Sequence, residues 1–302
     1  MLRRRHTRRI QRRVLALAVV AVAAAAVAGA SSAFGNALRN QASPNWSGWF
    51  VLSPPHSQRL AKHFTTVTGS WIQPSATCQS HHASFAAFWV GLGGYYGPPR
   101  SNALEQVGSE ADCSSSGRLF YYAWYEFVPA LPATIHAVKI RPGDSLSATV
   151  HASSDHVTVT FTDNTTGKSF RHTITMRHPV PDTSAAEWIA EAPSILDSAG
   201  HLTPLLLTNF GQIGFTAASA TSIGYGGRHT GAIDDPLWNY GEIVLSSNGH
   251  LRYSPTEKSY ALPSLLNIDG TSFNVRYGPI GPTGPTGPTT GIGPTGPTGA
   301  TA

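Results

Sequence analysis

The chain has 302 residues, of which only 12% are charged, with a formal net charge of +5 and two cysteines. Seven of its 21 basic residues are arginines within the first 13 positions, and the rest of the chain carries 14 basic against 16 acidic residues. Because that remainder has no excess of basic residues, we expect no binding to nucleic acid.

The N-terminus has the pattern of an export signal. The arginine-rich start is followed by an apolar run over residues 14–28 and by small residues up to Ala33. This order predicts a signal peptide over residues 1–30, cleaved after Ala30 or Ala33 and followed by a short linker, residues 31–43. A membrane-spanning helix needs about 20 apolar residues, and the run over residues 14–28 is shorter than that. We therefore expect no stable membrane insertion after cleavage.

Residues 44–277 show the alternation typical of one all-β domain. Apolar residues occupy every second position in Ser147–His151 and His156–Phe161, and a turn separates the latter from a hairpin partner at Ser169–Met176. Many short strands predict a sandwich of two antiparallel sheets, jelly-roll or concanavalin-like, with one helical turn within Pro193–Ala199. The further predicted strands are Phe64–Trp71, Ala83–Val90, Leu119–Phe127, Gly211–Thr216, Gly241–Ser246 and Ser272–Tyr277.

The two cysteines, Cys78 and Cys113, are expected to form one disulfide in an exported protein. Closing that loop would stabilise the fold by about 3–4 kcal/mol on the chain-entropy model. Two buried free thiols are the alternative. No cysteine or histidine spacing matches a zinc site, so no metal site is predicted.

The C-terminal residues 278–302 are predicted to form a collagen-like, low-complexity tail. From Gly278 onward glycine occupies every third position except at Thr290. Glycine at every third position is the rule of the collagen triple helix. One interruption in so short a repeat favours a flexible spacer over a stalk that would trimerise the protein.

Candidate chemistry rests on carboxylates beside aromatic residues. The sequence has no His-Glu-x-x-His zinc motif, no Gly-x-Ser-x-Gly elbow and no glycine-rich phosphate loop. Glu126 lies between Tyr125 and Phe127, and Glu187 precedes Trp188. A carboxyl group among apolar rings has a raised pKa, which suits general acid–base chemistry. From this pattern alone, such acids could equally lie on a solvent-facing strand surface.

Eight short motifs follow one another through the domain. In this order they resemble the landmarks of the glutamic peptidase (eqolisin) family, over about Asn45 to Tyr277. The resemblance implies a two-sheet sandwich and a secreted, acid-acting endopeptidase that cleaves polypeptide substrates without a metal or other cofactor. The motifs are Asn45–Gly48, Val67–Ser75, Trp89–Gly94, Leu104–Gly108, Ala123–Glu126, Ala186–Ile189, Asn209–Gly211 with Phe215–Thr216, and Asp269–Phe273.

The same resemblance implies the catalytic residues. Glu187 would act on a water molecule as general base and then as general acid, and Gln106 would position the water and stabilise the oxyanion. Gly93 stands where other members have an aspartate, so an acid near this pair is missing from that position. The residues implied to line or support the cleft are Trp124, Glu126, Trp89, Glu110 and Trp188.

Two other functions remain open at this stage. A glycoside hydrolase on a similar sandwich would use Glu126 and Glu187 as its paired carboxylates. A non-catalytic protein would instead bind glycan or protein through exposed tryptophans and be displayed on the C-terminal tail. The expected location is extracellular, with attachment to a cell surface through the tail left open.

Overall fold

The structure, a computed structural model, describes residues 37–53, 61–78, 81–96, 101, 103–196, 202–224 and 226–278. The predicted signal peptide and residues 279–302 of the tail lie outside the described residues, so both remain predictions. Residues 37–43, interpreted from the sequence as part of a linker, include a short strand that pairs with the domain.

The described residues form β-strands and no helix, and therefore no helix long and apolar enough to cross a membrane. The strands are β1 (Gln41–Ser43), β2 (Trp46–Leu52), β3 (Ala61–Ile72), β4 (Ala87–Gly93), β5 (Leu104–Cys113), β6 (Leu119–Val128), β7 (Ala133–Ile135), β8 (Ser145–Ser153), β9 (His156–Asp163), β10 (Lys168–Thr175), β11 (Ala185–Glu191), β12 (Ser194–Leu196), β13 (Leu202–Pro204), β14 (Gln212–Gly224), β15 (Gly227–Gly231), β16 (Asn239–Ser246), β17 (Tyr260–Pro263) and β18 (Phe273–Tyr277).

The main sheet runs in the order β10-β9-β8-β3-β14-β18-β17-β16-β2-β11-β4-β5-β6-β7, with β1 beside β16 and β15 beside β14. The sheet folds over itself into two layers, so that β3 packs against β11 and β5. Two hydrogen bonds connect the layers there. Trp188 Nε1 donates to the Thr68 carbonyl (2.6 Å), and Trp71 Nε1 donates to Ser109 Oγ (3.0 Å). The predicted all-β, sandwich-like architecture is confirmed. The two layers are nevertheless one hydrogen-bonded path, joined where β17 pairs with β18, and β1 pairs with β16 in parallel.

Two local predictions were wrong. Ser194–Leu196, within the predicted helical turn, forms β12 and pairs with β13. The strand predicted at Ala83–Val90 instead runs from Ala87 to Gly93 and is buried along its whole length. A strand buried on both faces has no polar alternation to mark its ends, which explains the error.

One layer, formed by β2, β11, β4, β5 and β6, positions the candidate site. Successive residues of a strand point to opposite faces of the sheet. The core face carries Val90, Val107 and Trp188, which pack into the main hydrophobic core between the layers. The opposite face carries Phe50, Trp89 and Ile189, which belong to a second, smaller cluster. We call it the site face.

The disulfide between Cys78 and Cys113 is confirmed, with the two Cα atoms 5.4 Å apart. It joins the segment after β3 to the last residue of β5. Since β5 also carries Gln106, the bond fastens one end of a strand that builds the site.

Candidate active site

Five residues form one row across the site face. Glu187 of β11 pairs with Phe50 on one side and with Gly91 on the other. Gly91 pairs in turn with Gln106, and Gln106 with Glu126. Directly paired residues point to the same face. The register therefore places Gln106 and Glu187 on either side of a glycine, with backbones about 9.5 Å apart.

Glu187 is fully buried, and neither of its carboxyl oxygens has a hydrogen-bond partner among the described residues. Burial raises its pKa well above the ordinary value, and the nearby charges of Asp182 and Glu105 raise it further. An unpaired buried polar group costs about 1–3 kcal/mol. Such a group in a folded protein calls for a functional explanation or a bound partner.

Gln106 is held in one orientation by Glu126. Its Nε2 donates to Glu126 Oε2 over 2.6 Å, while its buried Oε1 has no partner in the part of the chain that the structure describes. The amide therefore keeps one N–H and its oxygen for another molecule. Burial raises the pKa of Glu126, although the Gln106 hydrogen bond partly opposes that rise.

A second row, two residues further along the strands, consists of large apolar side chains. Ile189 pairs with Trp89, Trp89 with Gly108, and Gly108 with Trp124. Trp89 is fully buried and Trp124 is 4% exposed. The Trp124 indole N–H has no acceptor among the described residues, so it is a further donor on this face. This apolar row lies along one side of the Gln106–Glu187 pair.

A third row is acidic. Glu191 and Glu110 both pair with Ala87, and Glu110 pairs with Tyr122. The Tyr122 hydroxyl contacts Glu110 and, at 2.7 Å, Asp112. Burial and the charge of Asp112 raise the pKa of Glu110 well above its ordinary value. Because one phenolic proton cannot satisfy two charged carboxylates, this cluster favours a protonated acid.

Trp188 lies apart from the other implied cleft residues. It is on the core face, fully buried, with its indole N–H donated to the Thr68 carbonyl. The structure thus brings Gln106, Glu187, Glu126, Trp124, Trp89 and Glu110 to one face and places Trp188 on the other.

Two residues that the sequence reasoning missed lie beside the row. The Tyr95 ring packs 4.4 Å from that of Phe50, and its hydroxyl contacts the Gln41 amide. Asp182 fills the space beside Gly93, where an added Cβ would lie 2.4 Å from the Asp182 Cβ. Its carboxylate accepts from the backbone N–H groups of Gly94 (3.3 Å) and Ser184 (3.0 Å). Both residues lie in loops, where no sequence period marks them.

Within the described ranges, no group of three or more histidine, cysteine, aspartate or glutamate side chains is arranged to hold a metal ion. The chemistry on the site face is that of carboxyl groups, one amide and indole donors. Such a set can move protons and donate hydrogen bonds to a developing negative charge.

Comparison with known proteins identifies the family of the chain. The model of the Peptidase A4 family matches residues 44–248. Aspergillopepsin-2 of Aspergillus niger is 30% identical over 213 residues, which cover 64% of this chain and 68% of that protein.

Solved structures show the same fold at low sequence identity. Scytalido-glutamic peptidase, solved with a transition state analog inhibitor, superposes with a TM-score of 0.59 at 21% identity, covering 78% of this chain and 98% of that one. SCP-B, an eqolisin solved with the tripeptide Ala-Ile-His, gives a TM-score of 0.52 at 22% identity over the same shares. The family model, the relative and the fold together show that the chain belongs to the Peptidase A4, or eqolisin, family of peptidases.

Proposed function

We propose that the chain is an exported, acid-acting endopeptidase that hydrolyses peptide bonds with Gln106 and Glu187 and needs no metal. One observation carries the proposal: two buried side chains flank a glycine on the same face, and their free oxygens lack partners among the described residues. A water molecule between them would give both groups the hydrogen bonds that they lack.

The proposed reaction needs one carboxylate. Ionised Glu187 accepts a proton from the water, whose oxygen attacks the scissile carbonyl carbon. The free N–H of Gln106 donates to the carbonyl oxygen as negative charge develops there. Glu187 then returns the proton to the leaving nitrogen, the C–N bond breaks, and an acid and an amine are released.

Glu126 would serve this reaction by orienting Gln106. A side-chain amide can rotate so that its oxygen and nitrogen exchange places. Since Nε2 donates to Glu126 at 2.6 Å, the exchanged orientation would set two acceptors against each other whenever Glu126 is ionised. Glu126 thus keeps an N–H, and not the oxygen, available to the oxyanion.

An acidic working range follows from the buried acids. Glu187 must be ionised to act as base, so kcat/KM should rise with pH through a pKa above the ordinary 4.5. Glu191, whose pKa burial raises to about 7, and the neighbouring Glu110 are neutral in acid and lose that state as the pH rises. Their ionisation adds negative charge to the face on which Glu187 must ionise and the oxyanion must form, so activity should be greatest below neutrality.

Export is supported by the Cys78–Cys113 disulfide, because such bonds persist in oxidising compartments. The signal peptide that would direct export and the collagen-like tail fall outside the described residues. Trimerisation through that tail stays a prediction. An unchanged sedimentation mass after removal of residues 279–302 would contradict it.

The alternative functions gain no support from the geometry. Glu126 and Glu187 lie three strands apart, with backbones about 14 Å from each other, and Gln106 stands between them. Paired glycosidase carboxyl groups flank one bond at about 5–10 Å from each other, whereas the Glu126 carboxyl group is bonded to the Gln106 amide. A binding surface of exposed tryptophans is not seen, since six of the seven tryptophans are buried.

The test is digestion of a denatured protein by the mature domain from about pH 2 to pH 7, with pepstatin and a chelator present. Wild type, Glu187→Gln and Gln106→Ala are compared with Glu242→Gln, which replaces a buried acid of β16 on the opposite face. We expect cleavage in acid that neither inhibitor blocks and that only the first two variants lose. Cleavage that survives Glu187→Gln would overturn the proposal.

A further inference from the structure

Glu191 lies on the same face as Glu187, four residues further along β11. At strand geometry this puts the two Cα atoms about 13 Å apart, so Glu191 is too far away to share the reacting water. It is nevertheless tied to its surroundings more firmly than Glu187 is.

Its carboxyl group accepts hydrogen bonds from three side chains. Trp89 Nε1 donates to Glu191 Oε2 over 2.7 Å, and Asn45 Nδ2 donates to Oε1 over 3.0 Å. The indole of Trp46 donates as well and packs edge-on against Trp89, with ring centroids 5.1 Å apart. Asn45 thus holds the carboxyl group in place, and Oε2 of that group anchors the Trp89 indole by its N–H.

The opposite edge of that indole lies over Gly91. A Cβ atom added to Gly91 would be 2.8 Å from Trp89 Cζ3 and 3.2 Å from Leu104 Cδ1. Gly91 is the residue that separates Gln106 from Glu187. Hence one rigid ring connects the Glu191 carboxyl to the gap in which the water and the scissile bond would meet.

The geometry points to Glu191 as a positioning residue, which holds the Trp89 ring clear of the space between Gln106 and Glu187. This inference rests on the proposed function of that pair. If the ring lost its anchor, it could rotate over Gly91 and crowd the attacking water or the substrate carbonyl. Displacing reacting groups by about 1 Å costs up to about 100-fold in rate.

The charge state of Glu191 decides which substitution tests its hydrogen bond to Trp89. Burial raises its pKa to about 7, against the lowering effect of the Trp89 hydrogen bond, and Glu126 adds to the rise. In acid the group is therefore a neutral carboxyl, which keeps a carbonyl oxygen for the indole N–H. Glutamine also keeps that oxygen, whereas alanine removes it.

The experiment measures kcat and KM for wild type, Glu191→Ala, Glu191→Gln and Trp89→Phe at the acidic optimum. Glu242→Ala is the control, since Glu242 is also buried with a pKa raised to about 7 but lies on the other face. We expect kcat to fall about 10- to 100-fold in Glu191→Ala and in Trp89→Phe, with KM within about threefold of wild type. Glu191→Gln should restore kcat, and Glu242→Ala should keep it.

Nuclear magnetic resonance supplies a second readout that does not depend on activity. The indole N–H resonance that disappears in Trp89→Phe belongs to Trp89, and it should shift in Glu191→Ala but little in Glu191→Gln. A wild-type kcat in either Glu191→Ala or Trp89→Phe would overturn the inference, as would an unmoved indole resonance. If Glu191→Ala does not fold, Trp89→Phe decides alone. Failure of the proposed function would appear differently, as wild-type cleavage that survives Glu187→Gln.

Discussion

Glu187 and Trp188 are neighbours in β11 and are equally buried, yet they lie on opposite faces of one layer. On the core face, Trp188 donates its indole N–H to the Thr68 carbonyl. On the site face, neither oxygen of Glu187 has a partner among the described residues. The same strand thus satisfies its polar group on one face and leaves it unsatisfied on the other. Each unsatisfied group costs about 1–3 kcal/mol, and a bound water or the proposed catalytic role would account for that cost.

The largest expected effect comes from Glu187→Gln. Loss of the proposed base and acid should lower kcat by about 10²- to 10⁴-fold. The free energy of unfolding should not fall, because glutamine has no ionised form to penalise in this buried position. Steady-state kinetics and denaturant unfolding measure the two quantities. A clear loss of stability with activity retained would contradict the contrast between the faces.

The matching change on the core face is Trp188→Ala. It removes a fully buried ring and should lower the free energy of unfolding by about 3–5 kcal/mol. Activity per folded molecule should fall far less than in Glu187→Gln, since Trp188 does not reach the site face. Active-site titration with a tight inhibitor separates the folded fraction from the rate. A rate loss as large as that of Glu187→Gln would place Trp188 in the reaction.

Stability should fall as the pH rises, because burial raises the pKa of Glu191 to about 7 and that of Glu105 to about 9. These two carboxyl groups bind protons more tightly in the folded than in the unfolded state. Their contribution to the free energy of unfolding is therefore complete below about pH 4.5, the ordinary pKa of an exposed glutamate. That contribution is lost as the pH rises through each folded-state pKa, and every tenfold difference in proton affinity between the two states is worth about 1.4 kcal/mol. Denaturant unfolding between about pH 4 and pH 10 measures the decline.

Two substitutions assign that decline to the two faces. Glu191→Gln should flatten the decline between about pH 4.5 and pH 7, and Glu105→Gln, on the core face, should flatten it between about pH 4.5 and pH 9. A stability that increases between those values would contradict the assignment.

The smallest expected effect comes from Gly91→Ala. The added methyl group would meet the Trp89 ring at 2.8 Å and Leu104 at 3.2 Å. Displacing the ring should lower kcat by about 10- to 100-fold and stability by about 1–3 kcal/mol. Kinetics at saturating substrate measure the first effect. A variant as active as wild type would mean that the gap between Gln106 and Glu187 is wider than the structure shows.

Strand alternation was sufficient to predict part of the fold. β8 and β9 alternate buried with more exposed residues, and β10 alternates half-buried with exposed residues. The predicted bounds of these three strands differ little from those observed. β4 and β11 are buried on both faces, so their bounds and partners carry no periodic signal. Their place in the sheet is set by pairing with residues far along the chain.

The candidate site needed more than periodicity. The register of β11, β4 and β5 puts Gln106 and Glu187 on the same face, on either side of Gly91. Only the family resemblance connected these two residues in advance. Glu191 could have been predicted from the sequence, because strand alternation puts it on the same face as Glu187. The same rule separates Trp188 from Glu187, although both belong to one motif. Asp182 lies in a loop and gave no signal.

The most direct test of the proposed pair is a double-mutant cycle with Glu187→Gln and Gln106→Ala. If both residues act on the same water, removing the second after the first should cost little more, and the double variant should be about as slow as Glu187→Gln alone. The kcat/KM of the four proteins is measured at the acidic optimum. Fully additive losses, with the double variant slower by the product of the single effects, would show that the two residues act independently and would contradict the dyad.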